Sequence, residues 1–222
     1  LNSLAVLQNR LLFLRDNNEK NDPVECNQKK YTEDDNGWSL GEGVSVWSTS
    51  VAIIALLDKQ KNWLNNIDEI KKSILWLCNQ QNPSSGGWAY QNIENCDVNV
   101  VCTALALRAI SKAMQNYAEL LFDDEQKNKL TSALNMGLSY LKNGIVVSKK
   151  RYVYWEHLKE PSCVATTWSL LAFYEAQKLE AGLVNDETRK FFYEIKKKSI
   201  AFIISRMPKK MEKWGDEQIV YE

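Results

Sequence analysis

Three apolar stretches of this chain repeat one spacing, and that repetition limits the fold more than any other feature. They read Thr49, Ala52, Ala55, Leu56, then Thr103, Ala106, Ala109, Ile110, then Thr166, Ser169, Ala172, Phe173. Each places a small residue three and six positions after Thr and a large apolar residue at seven, so the shared residues lie towards one side of a helix, where small side chains let a neighbour approach closely. Ahead of each stands an aromatic turn, GWSLGEG with Trp38, GGWAYQ with Trp88 and YVYWEH with Trp155. Trp38 and Trp155 precede their Thr by 11 residues and Trp88 by 15, which places an insertion near QNIENC.

A second set of helices alternates with the first and ends on an aromatic-aliphatic pair: Phe13-Leu14, Trp76-Leu77, Tyr140-Leu141, Phe202-Ile203. The unit is therefore helix, aromatic turn, helix. The 3.6-residue period dominates and strand signals are nearly absent, so the expected class is all-α. Half-buried hairpins that repeat must stack to cover their second faces, which predicts a solenoid or ring. KWGDEQIVYE opens a fourth turn at Trp214. The polar stretch Asp16 to Gly37 and a second one, Asn143 to Arg151, read as loops within a single domain over 1–222 of about three and a half repeats.

With 45% hydrophobic and 25% charged residues among 222, the chain has the composition of a globular domain. Lys plus Arg equals Asp plus Glu at 28 each, so no global field favours nucleic acid. Five cysteines without a C-x-x-C pair read as reduced thiols, and a cytoplasmic setting is expected. The longest apolar run, Val51 to Leu57, is too short for a transmembrane segment. Because the chain starts LNSLAV without an initiator Met, it reads as part of a longer protein.

KKSILWLCNQQNPSSGGW resembles the QW repeat of squalene-hopene and oxidosqualene cyclases, with a basic residue, an aromatic-aliphatic pair, Gln81 and a Gly-Trp. Weaker copies extend over most of the chain. The resemblance implies an α/α toroid of inner and outer helices, as in protein prenyltransferase β subunits and complement-type thioester domains. It does not carry function, because one architecture hosts unrelated sites.

Triterpene cyclases protonate an alkene or epoxide with a carboxylic acid held in an apolar cavity. Where oxidosqualene cyclases resemble Asp-Cys-Thr-Ala-Glu, this chain reads Val101-Cys102-Thr103-Ala104-Leu105, and the acid positions of the bacterial Asp-x-Asp-Asp-Thr form fall on Asn99, Val101 and Cys102. The sister copies hold no acid there either. Asp97, six residues before Thr103, reads as a helix N-cap, as does Glu160 before Pro161; a relocated catalytic acid at Asp97 is the alternative. Zinc, which the prenyltransferase resemblance would imply, lacks its ligand set: His157 is the only histidine, and Cys163 nearby offers one further ligand. The Cys and His motifs of lanthionine cyclases and the thioester Cys-Gly-Glu-Gln are absent. No cofactor and no metal are expected.

Glu42 and Glu156 each follow an aromatic turn, which leaves open an α/α-barrel hydrolase using two carboxyl groups. Trp38, Trp88, Trp155 and Trp214 are read as packing between hairpins, whereas Trp47 and Trp168, on inner helices, could line a cavity for an apolar or cationic ligand as an alternative to core packing. Lys196, Lys197, Lys198, Lys209, Lys210 and Lys213 read as a solvated helix face, or a docking surface for another domain. The expectation is a binding module rather than an enzyme, holding a small apolar ligand, a peptide or another domain at its bowl or rim through Trp47, Asp97, Asn99, Cys102, His157 and Trp168. A terpene-cyclase-like isomerase drawing its acid from Asp97 or from sequence outside this chain is the runner-up.

Overall fold

The computed structural model describes residues 36–38, 44–58, 67–91, 96–148 and 151–206. Six helices are described: α1 Val46–Asp58, α2 Ile67–Asn79, α3 Val100–Leu121, α4 Asp124–Asn143, α5 Cys163–Gln177 and α6 Asp186–Arg206. Helices α1, α3 and α5, which carry the Thr pattern, pack on one another in that order, and α2, α4 and α6 form a second row beside them. The core lies between the rows and follows the repeat: Ala106, Ala109 and Ile110 on α3 and Ser169, Ala172 and Phe173 on α5 are all buried.

The chain is mostly helical but not all-α. Two small antiparallel sheets join the helices: β1 Trp88–Ala89 with β2 Val98–Asn99, and β3 Ile145–Ser148, β4 Tyr152–His157 and β5 Glu160–Ser162 in that order. The second polar loop expected over Asn143 to Arg151 thus holds a strand, β3, paired with β4. Its IVVS is β-branched, and along YVYWEH the even positions of the strand, Val153 and Trp155, are buried while their neighbours are not. That two-residue alternation is a strand signal which the helical period on either side obscures. The turn between β4 and β5 holds Leu158 and Lys159 at φ of 52° and 65°, a left-handed pair that a tight hairpin requires.

Each aromatic turn is built in the same way. Trp88 pairs with Asn99 and Trp155 with Ser162 across their hairpins, and the Ser45 N–H donates to the Trp38 carbonyl. Ser45, Asn99 and Ser162 all stand four residues before their Thr, and each accepts a hydrogen bond from the backbone three residues on. These residues cap the inner helices. Asp97 does not: it is exposed and lies ahead of β2, because the strand carries the chain two residues further before the helix begins. Glu160 and Pro161 likewise belong to β5, not to a helix start. The cap stands seven positions after the Trp in the first and third copies and eleven after it in the second, so the insertion lengthens the connection between β1 and β2, of which 92–95 lie outside the described residues.

The Thr hydroxyl closes the unit by accepting the Trp backbone N–H, at 2.8 Å for Trp38 to Thr49, 2.9 Å for Trp88 to Thr103 and 3.1 Å for Trp155 to Thr166. All three indoles are fully buried. Their N–H groups donate to Ser73 Oγ on α2, to the Leu77 carbonyl at the end of α2 and to the Leu141 carbonyl at the end of α4. Packing between hairpins, expected for these tryptophans, is what the three described ones do; Trp214 lies outside the described residues. Gln81 adds a tie between repeats, donating to the carbonyls of Gly86 and of Ala133 on α4.

Candidate functional site on the inner helices

On a helix of about 3.6 residues per turn, positions −2, +2, +5 and +9 from each Thr fall within about 60° of one another, on the side away from the outer row. On α1 these are Trp47, Val51, Ile54 and Asp58, on α3 Val101, Leu105, Arg108 and Lys112, and on α5 Val164, Trp168, Leu171 and Glu175. Trp47, Val51, Ile54, Val101, Trp168 and Leu171 are half-buried, Leu105 is fully buried and Val164 is exposed, so this face is mostly apolar and lies between core and surface.

Its charged residues are arranged across helices. Asp58 on α1 and Lys112 on α3 form an ion pair at 2.5 Å, and Glu175, buried on α5, pairs with Lys178 at 2.8 Å. Arg108 stands one turn towards the aromatic end, its guanidinium 4.9 Å from the centre of the Trp168 ring. Among the described residues its buried Nε has no hydrogen-bond partner. Burial lowers the Arg108 pKa below the ordinary arginine value, and Glu175 and Asp58 partly oppose that shift. A guanidinium over an indole ring, with one donor unpaired among the described residues, is the kind of group that binds a planar anion such as a carboxylate.

The residues singled out from sequence do not converge. Trp47 and Trp168 are on this face, both packed against the core as well. Asn99 has its side chain engaged as the α3 cap, and Cys102 is buried, its thiol pushed up to about 12 first by burial. At neutral pH such a thiol stays protonated, which disfavours a nucleophilic role. Asp97 is exposed on the second hairpin; Glu156 is half-buried in β4 opposite Pro161, and His157 is exposed opposite Glu160. Glu42 lies outside the described residues. Among the described residues no three of His, Cys, Asp and Glu cluster as a metal site would require, and no helix is long and apolar enough to cross a membrane.

Arg108, Lys112, Asp58 and Glu175 were not marked by motif reading. The signal was present: ionisable residues at +5 and +9 of helices that are otherwise apolar. Compared with protein families, characterised proteins and solved structures, the chain matches none.

Proposed function

We propose that this chain is a non-catalytic binding module of the α/α-toroid type, whose inner helical face takes a small apolar ligand carrying an acidic group. The observation that carries this reading is Arg108: a half-buried guanidinium over the Trp168 ring, its Nε without a partner among the described residues, on the same helical face as the half-buried Trp47, Val101 and Leu171. An apolar wall with a few placed polar groups is the usual make-up of a small-molecule site. The alternation of an inner and an outer helical row supports the toroid. The positions that would hold the acids in the cyclases whose QW repeat the chain resembles are here Asn99, Val101, Cys102 and Leu105, which supports binding over isomerisation.

The test is a calorimetric titration of the chain with dodecanoate and with dodecanol, which share a tail and differ in the head group. The acid binds at least about tenfold tighter, and Arg108→Met, which keeps an apolar stem, removes that preference while leaving alcohol binding in place. Equal affinity for the two in the unsubstituted chain would sink the proposal.

A further inference from the structure

Charged and apolar residues of the inner face are sorted along the helix axes. Positions −2 and +2 from the Thr are apolar on all three helices: Trp47, Val101 and Val164 in one layer, Val51, Leu105 and Trp168 in the next. Position +9 is charged on all three, as Asp58, Lys112 and Glu175. These layers are levels in space, because the inner helices run in register. Asp58 and Lys112, both at +9, meet in an ion pair at 2.5 Å, and each helix starts from a cap four positions before its Thr.

Arg108, at +5, stands between the two zones and fixes the place of an acidic head group. Helical side chains lean towards the start of their helix, and the Arg108 guanidinium accordingly lies 4.9 Å from the centre of the Trp168 ring, a +2 residue. A tail attached to that head group has two ways to run. Towards +9 it would cover the half-exposed Asp58 carboxylate and take it out of water. Towards −2 it meets Trp47 and Val101, which are apolar and half-buried. The second course is the favourable one.

The layers also limit the length of the tail. From Arg108 to the −2 layer is seven residues, about 10.5 Å along the axis, and from the +2 layer it is four residues, about 6 Å. With a C–C bond of about 1.5 Å, an extended alkyl chain advances about 1.25 Å per carbon, so about five to eight carbons fill that distance. One residue past the −2 layer, at Val46, Val100 and Cys163, the helices begin.

We propose that the inner face selects linear monocarboxylates of about six to nine carbons, held with the carboxylate at Arg108 and the tail directed at Trp47 and Val101. This rests on the carboxylate reading of Arg108 and adds the direction and length of the tail.

Titration of the isotope-labelled chain with alkanoates from butanoate to dodecanoate, followed by NMR at the indole signals of Trp47 and Trp168, tests it. Trp47→Phe and Trp168→Phe assign the two signals. Butanoate is expected to move the Trp168 signal alone, and octanoate to move both. Affinity is expected to rise about twofold to fourfold per added carbon up to nonanoate and by less than about twofold in all from there to dodecanoate. A Trp47 signal that butanoate moves as far as octanoate does, or that no alkanoate moves, would overturn the proposal. So would an affinity that keeps its slope through to dodecanoate. If these occur while dodecanoate still binds more tightly than dodecanol, the direction and length fail alone; equal affinity for that pair overturns the carboxylate reading and this proposal together.

Discussion

The backbone N–H of Trp88 donates to the hydroxyl of Thr103 at 2.9 Å, and the same hydroxyl donates to the Asn99 carbonyl, so one side chain joins an aromatic turn to the helix that follows it. Thr166 does the same between Trp155 and Ser162. Thr103 is fully buried. Thr103→Val keeps the shape, removes the acceptor and leaves the Trp88 N–H unsatisfied, which should cost about 1–3 kcal/mol in urea-induced unfolding. Thr103→Ser, which keeps the hydroxyl, should recover most of that loss.

Gly137 on α4 marks a close approach to the preceding aromatic turn and to α3. A Cβ there would come within 2.7 Å of Trp88 Cζ3 and 2.8 Å of Leu107 Cδ2, too near for either buried group to yield. Gly137→Ala is expected to destabilise by about 1–3 kcal/mol despite the better helix propensity of Ala. At Gly144 the nearest atoms are 3.4 Å or more from such a Cβ and φ is −86°, so Gly144→Ala serves as the mild control in the same thermal scan.

Asn99 and Asp97 provide a test of which residue begins α3. Asn99 accepts from the Cys102 N–H at 2.9 Å with φ −131° and ψ 156°, a cap geometry, whereas Asp97 is exposed. Asn99→Ala should lower stability by about 1 kcal/mol, and Asp97→Ala by less than about 0.5 kcal/mol. The reverse order would return the cap to Asp97.

Burial pushes the thiols of Cys78 and Cys102 up to about 12 from an ordinary 9.0. Because the folded pKa of each lies above the unfolded one, the unfolded chain releases these protons first as pH rises. Their contribution is fully present below pH 9 and is lost progressively between 9 and about 12, at about 1.4 kcal/mol per thiol per pH unit over most of that window. Urea unfolding at a series of alkaline pH values should show that decline, and Cys102→Ala should make it shallower without abolishing it, because burial also raises Cys163 and Tyr140.

The sequence alone fixed the period, the alternation of two helical rows and the burial of Trp38, Trp88 and Trp155, because small residues at +3 and +6 from Thr leave a helix one close-packed side. It also located the insertion in the second copy by counting. The strands escaped it, since IVVS and YVYWEH are short and lie between helices whose period overwhelms a two-residue alternation. Asp97 was misplaced for a related reason: a cap is defined by the backbone angles that β2 imposes, and these put Asn99 at the helix start.

The inner face was legible only in fragments. Trp47 and Trp168 stood out as aromatics, but Arg108 gains its meaning from Trp168, 60 residues away in sequence and 4.9 Å away in space, and from the carboxylates of Asp58 and Glu175 on the two flanking helices. Spacing along one helix says which residues share a face. Which charges oppose each other across three helices, and which donor is left without a partner, depends on how those helices pack, and only the tertiary structure decides that.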